Sequence, residues 1–343
     1  MDVKETLFKL CKARGVSGRE SEVAELLKSI LVKYSDSVCL SPLGSVIAKI
    51  SEPCDGYPTI MLEAHLDEVG LVVTSITNEG FLKVEKCGGV DANLLVAQEV
   101  VVCAKRDLPG VVCSIPPHLA ANKKQTALTM DDIYIDVGME RGAVEDLVEI
   151  GNVVSYAFRP KCLENARVSV KSLDNRAGVM AVLLAIDNLK NSQHKCGVVA
   201  VFSSLEETSG KGATTCGYLV DPDFAVCVDV SFAKGLGCPE YKCGEMGRGA
   251  MIGIAPTLDY DLSLKLRKIA ESKNIPHQLE IMNGLTSTDA DKICVARAGV
   301  KTGLCSIPLK YMHSPVEMVD LCDIDSAAKI LENFVISCEE GLS

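Results

Sequence analysis

No stretch of this chain approaches the roughly 18 consecutive apolar residues that a membrane span requires. Its N-terminus, MDVKETLFKLCKARG, is amphipathic and charged rather than an apolar signal core. No basic cluster offsets the surplus of Asp+Glu 46 over Lys+Arg 35, a formal net charge of −11, which argues against a polyanion such as nucleic acid as the main partner. Internal repeats and low-complexity tracts are also missing. These absences predict a soluble, cytoplasmic protein with neither nucleic acid nor membrane as partner. Among sixteen cysteines, scattered singly from Cys11 to Cys338, there is no C-x-x-C pair, so zinc-ribbon spacing is lacking and cysteine is not expected as a metal ligand. Most, including Cys103, Cys113, Cys227 and Cys305, lie in apolar strand-like runs and read as small buried hydrophobes kept reduced.

What is present is a chain of 343 residues, 48% hydrophobic, enough for a globular protein of about two domains at roughly 150 residues each. Ser17-Gly18-Arg19-Glu20 has the pattern of a capping box ahead of a helix with Val23, Leu26, Leu27, Ile30 and Leu31 on one face. Val46-Ile47-Ala48 and Thr59 to Ala64, separated by a turn-rich segment, read as a β pair. From Gly70 to about Arg159 the texture changes to short β segments, Leu71 to Ile76, Phe81 to Val84, Val100 to Ala104, Val111 to Ile115 and Ile133 to Val137, with almost no helical period. Closely spaced strands of this kind predict a small barrel or sandwich. An α/β alternation then resumes: strand Val168 to Lys171, helix Arg176 to Leu189, strands Val198 to Phe202, Ala225 to Val230 and Ala250 to Ile254, helix Tyr260 to Ser272. It continues with strand Gln278 to Met282, helix Asp289 to Ala298, strand Lys301 to Ile307 and a last helix from about Ile324. The expected fold class is therefore α/β, a mixed sheet with helices on both faces, interrupted by an inserted β-rich domain. The boundaries fall at 1–69 with 160–343 for the first domain and 70–159 for the insertion.

In open α/β sheets ligands bind outside the carboxyl ends of the strands, and here the ends of apolar runs deliver His65 with Asp67, Asp174, Glu206 with Glu207, and Asp229, with His313 in the loop after another. Each has an ordinary reading alone. A buried histidine can be satisfied by a carbonyl, Asp174 can cap the helix near Arg176, Asp229 can end a strand in solvent, and a Glu-Glu pair at a turn can be solvated. Together, imidazoles and carboxylates suit zinc, cobalt or manganese. Two histidines and several carboxylates suffice for two metals if one carboxylate bridges, an arrangement that activates water and polarises a carbonyl.

The motifs EAHLDEVG at Glu63 to Gly70, SLDNRAG at Ser172 to Gly178, LEETSGKGA at Leu205 to Ala213, VDVS at Val228 to Ser231, STDAD at Ser287 to Asp291 and HSPVE at His313 to Glu317 resemble, in order and spacing, the M42 family of metallo-aminopeptidases. The match spans nearly the whole chain. The resemblance implies a zinc-exopeptidase-like α/β domain with an inserted barrel that serves dimerisation. It implies Asp174 as the bridging ligand, with His65 and Glu207 completing one metal site and Asp229 and His313 the other. Glu206 is implied as general base, and Asp67 as the carboxylate that fixes the tautomer of a bound imidazole. A cis peptide is frequent in the wider clan where Asn175 follows the bridging aspartate. Asp289 is a candidate for lining the substrate pocket, with capping of its helix as the alternative. Pro116-Pro117-His118 also fits the family pattern, as a loop tip or interface contact. Ala64, Ser209-Gly210-Lys211 and Ser231 depart from the family without removing a ligand.

The expected function is a dinuclear metal-dependent aminopeptidase acting on peptides, with two divalent ions per subunit and a metal-bound water as nucleophile. Dimers building to a dodecamer are the implied assembly. Two alternatives keep the architecture: an amidohydrolase or deacylase acting on acylated amino acids, and a non-catalytic assembly protein. A glucanase is not expected, because glycosidases work with a carboxylate pair and have no use for metal-ligating histidines.

Overall fold

The computed structural model describes residues 1–116, 127–239 and 242–338; Pro117 and His118 of the Pro-Pro-His motif lie outside them. Helix α1 (Val3–Lys12) starts at Asp2, whose carboxylate accepts the N–H of Glu5. Helix α2 (Ser21–Leu31) buries Val23, Ala24, Leu27 and Leu31. The expected capping box does not form. Ser17 pairs its hydroxyl with that of Thr208 (2.9 Å), Glu20 turns back to the N–H of Gly18 (2.6 Å), and the helix begins one residue after Glu20.

Strands β1 (Val38–Leu40), β2 (Val46–Ser51) and β3 (Thr59–His65) lead into a closed barrel of β4 (Gly70–Ile76), β5 (Leu82–Cys87), β6 (Glu99–Cys103), β7 (Asp107–Ser114), β8 (Ile133–Asp136) and β9 (Val153–Tyr156). The short helix α3 (Arg141–Glu145) precedes β9, a four-residue strand with too little alternation to read from sequence. After β10 (Lys161–Cys162) and β11 (Arg167–Ser169) come helix α4 (Leu173–Leu189), β12 (Gly197–Ser203), α5 (Lys211–Val220), β13 (Phe224–Phe232) and β14 (Ala250–Ile254). Then follow α6 (Tyr260–Ser272), β15 (His277–Ile281), α7 (Ala290–Ile293), β16 (Lys301–Leu309), β17 (Met318–Asp320) and α8 (Leu321–Ile336).

The main sheet has eight strands in the order β1-β2-β12-β3-β13-β16-β14-β15. The expected pairing of β2 with β3 is broken by β12, which lies antiparallel to β2 and parallel to β3. All seven residues of β12 are buried, and a strand apolar on both faces belongs inside a sheet rather than at its edge. Two other expectations change. Val168 to Lys171 does not join the main sheet, since β11 pairs with β10 and β17; and helix α7 covers only Ala290–Ile293, the chain leaving the helical path before Arg297 and Gly299, both at positive φ.

Side chains alternate along each strand, so successive residues serve opposite faces. Ile60, Leu62, Val198, Ala200, Phe202, Val226 and Val228 join one core with residues of α1, α2, α4, α6 and α8. Met61, Val199, Val201, Ala225 and Cys227 join the other, with Ala213 and Cys216 of α5 and Ala290 and Ile293 of α7. Helix α4 is buried along nearly its whole length, as expected of a helix apolar all round.

The barrel is tied to this layered unit by Glu68, between β3 and β4. Its carboxylate takes the Lys171 ammonium (2.5 Å), the Ser155 hydroxyl of β9 (3.1 Å) and the N–H of Gly15 (3.1 Å). None of the sixteen cysteines forms a disulfide, but only Cys11, Cys196, Cys216, Cys227, Cys305 and Cys338 are buried. Cys103 and Cys113 are half-exposed because strand alternation in a barrel sends every second side chain outward. No helix among the described residues is long and apolar enough to cross a membrane.

Candidate metal centre

Strands β12, β3, β13 and β16 are mutually parallel, so their carboxyl ends reach one rim of the sheet. His65 ends β3 with the parity of Met61, and Asp229 lies in β13 with the parity of Cys227; both face the side covered by α5 and α7. Glu206 and Glu207 follow β12, and His313 follows β16. Asp174 arrives differently. It lies in a non-helical break at the start of α4 (φ −81°, ψ 104°), and the Asp174–Asn175 peptide is cis.

These segments bring the side chains into two groups that share one residue. His65, Asp174 and Asp229 form the first and Asp174, Glu207 and His313 the second, with potential ligand atoms of each group within 4.8 Å of one another. Asp174 turns Oδ1 to His65 Nε2 (3.2 Å) and Oδ2 to His313 Nε2 (3.3 Å). Asp229 lies 3.6 Å from His65 Nε2, and Glu207 lies 3.2 Å from His313 Nε2. The expected division, His65 with Glu207 and Asp229 with His313, is therefore corrected. β3 and β13 are adjacent strands and bring His65 to Asp229, while Glu207 and His313 meet across the rim loops.

His65, Asp174 and Asp229 are buried, and their charges are correlated. Burial pushes the Glu206 carboxyl up to about 10, against the pull of His65 and with the help of Asp229, Asp289 and Glu207. Burial next to Asp174 likewise lifts Glu207 to about 7, partly offset by His313. Burial opposes a charged His313, yet its bonds with Asp174 and Glu207 win and raise it to about 11. Burial works against the Asp174 carboxylate too, and the two imidazoles overcome it and lower its pKa. The centre thus holds more negative charge than it can keep without cations, and protons on histidine stand in for them. Two buried atoms in it, His65 Nδ1 and Glu207 Oε1, have no hydrogen-bond partner. Buried polar atoms without partners are costly; the donor set and the orphaned Glu207 Oε1 fit divalent metal, whereas His65 Nδ1 faces Asp67 on the far side of the ring.

Asp67 is fully buried and, besides facing His65, holds the main chain of both glutamates. It stands 3.5 Å from His65 Nδ1, and its two oxygens accept the N–H groups of Glu206 (3.0 Å) and Glu207 (3.1 Å). It thereby fixes the turn that presents both glutamates. Asp289 is buried beneath the site and makes no capping bond to α7. Its Oδ2 accepts the Ser203 hydroxyl, which also lies 2.7 Å from Glu63. The cavity over the centre, about 430 Å³, is instead walled by Val230, Ser231, Phe232, Thr286, Ser287, Thr288 and Met312, with the donor residues at its floor.

Gly89, in the barrel, was not legible from sequence. Its carbonyl lies 3.0 Å from His313 Nδ1, which keeps the imidazole proton on Nδ1 and leaves Nε2 free to face Asp174 and Glu207. A Cβ at this position would sit 2.5 Å from Nδ1. Gly89→Ala is expected to swing His313 out and weaken metal binding by about 10–100-fold, the scale of lost outer partners. Zinc titration against a competing chelator measures this, with far-UV circular dichroism unchanged.

Solved structures similar over nearly the whole chain include aminopeptidases. An aminopeptidase from the archaeon Desulfurococcus kamchatkensis superposes with a TM-score of 0.92 at 32% identity, covering 98% of this chain and 95% of that one. The TET1 peptidase of Pyrococcus horikoshii gives 0.86 at 30% identity, with 98% and 100% covered. The fold and its rim of histidines and carboxylates define a hydrolase of the peptidase class. The M42 glutamyl aminopeptidase family model matches residues 44–330, and a lysyl aminopeptidase of Pyrococcus furiosus is 32% identical over 332 residues, 95% of this chain and 94% of that protein; the chain belongs to the M42 aminopeptidase family.

Proposed function

We propose that this enzyme is a dinuclear metal aminopeptidase that removes residues from the free N-terminus of peptides. The observation that carries the reading is the sharing of Asp174 by two donor groups at the floor of a cavity that Glu206 also lines. Asp174 would be shared between two divalent ions, one held by His65 and Asp229 and the other by Glu207 and His313, and zinc, cobalt and manganese all suit these donors. When bound, such a pair polarises a carbonyl oxygen and lowers the pKa of water.

The chain's own residues supply the rest. Glu206 acts as general base and then general acid, taking a proton from the attacking water and passing it to the departing amine. Positive charge beside Glu206 opposes the burial that raises its pKa and restores its capacity to accept that proton. Asp67 keeps Glu206 aimed by holding its N–H. Phe232, Met312 and Thr286 to Thr288 enclose the terminal residue.

The catalytic domain is 1–69 with 160–343, and the barrel, 70–159, is the dimerisation domain. Leu94, Val111, Ile115 and Ile150 are large apolar side chains exposed there. The P. horikoshii peptidase can assemble into a tetrahedron or a large octahedral shell; a dimer building to a dodecamer is the assembly proposed here. Sixteen cysteines without a disulfide suit the reducing cytoplasm.

The test is hydrolysis of a panel of aminoacyl amides and N-acyl amino acids by the chelated enzyme, before and after zinc, cobalt or manganese is added back. Cleavage of substrates with a free amine, restored by metal, is expected. Activity that survives chelation, or is confined to N-acylated substrates, would overturn the assignment.

A further inference from the structure

Glu317 belongs to neither donor group, yet it is bonded to two of the three segments that carry the second one. It lies just ahead of β17 and is 1% exposed. Its Oε2 accepts the N–H of Asp174 (3.0 Å) and its Oε1 the N–H of His313 (2.8 Å). Its main-chain carbonyl accepts the N–H of Val170 (3.0 Å), in the stretch leading to Asp174. Both held residues sit where regular structure fails them, Asp174 in the break of α4 and His313 in left-handed conformation at φ +61°. Neither a helix nor a ladder sets their side-chain direction. Asp67 does the equivalent for Glu207, so two buried carboxylates between them hold the main chain of Asp174, Glu207 and His313.

We propose that Glu317 is a positioning residue that assembles the second metal-binding group by clamping the main chain of Asp174 and His313. The inference rests on the dinuclear reading above. Both oxygens must accept, because both facing groups are N–H donors. A glutamine of the same size offers one acceptor and one NH₂, which opposes one of those donors and lets that segment drift. An aspartate keeps the charge but is one methylene short of spanning the two. A purely structural role predicts something else: lower stability, with normal metal affinity in whatever remains folded.

The experiment compares full-length wild type, Glu317→Gln and Glu317→Asp after metal removal. Zinc is titrated against a competing chelator, with thermal melting of each metal-free chain followed in parallel. Folded Glu317→Gln is expected to bind zinc about 10–100-fold more weakly, with kcat recovering at saturating zinc because the reacting groups are intact. Wild-type zinc affinity in folded Glu317→Gln overturns the proposal. Should that chain not fold, Glu317→Asp decides in the same way: weakened binding supports the clamp and unchanged binding refutes it. Failure of the wild type to bind zinc would instead remove the dinuclear reading, and this inference with it.

Discussion

Glu206→Gln is expected to lower kcat by about 10²–10⁴-fold, the usual contribution of a positioned acid–base group, while bound metal stays at the wild-type level. Glu206 belongs to neither three-residue donor group and stands 3.9 Å from His65 Nε2, farther than Asp174 or Asp229. Glutamine preserves its shape and its N–H bond to Asp67 but cannot take up a proton. The loss should therefore appear in kcat rather than in metal content. Steady-state kinetics with elemental analysis of the same sample separate the two, and a variant that keeps its turnover rate would remove Glu206 from the role of base.

Asp174→Asn should have the wider effect, because one residue serves both groups. Each Asp174 oxygen faces a different histidine, so an amide nitrogen in place of either oxygen takes a donor from one group and the negative charge from both. Binding at both positions is expected to fall by at least the roughly 10–100-fold that even outer partners cost, and activity falls with it. Equilibrium titration resolves the outcome: two ions held at wild-type affinity would show that Asp174 is not the bridge. A single weakened site would mean that its oxygens are not shared as their geometry indicates.

The parts of this molecule that sequence reveals are those with a local physical cause. Strand β14 and helix α6 begin and end where apolar runs and helical period place them, since alternation and a 3.6-residue repeat are properties of a short window. The barrel announced itself through closely spaced short strands, and the acids at strand ends through the apolar runs before them. Departures arise where a distant partner decides. Ser17 looks like a cap until Thr208 arrives beside it. β2 and β3 look like neighbours until β12, from far along the chain, enters between them.

From sequence alone came the fold class, the insertion and the candidate donors His65, Asp174, Glu206, Glu207, Asp229 and His313. Only the folded chain determined how those donors divide between two groups, that Asp67 supports the glutamates, that a barrel glycine orients His313 and that Glu317 spans two segments. The reason is physical. Propensity and patterning act between residues a few positions apart, whereas a donor group is defined by distances of a few ångströms between side chains separated by most of the chain. Those distances follow from strand order, and strand order follows from which buried faces pack together.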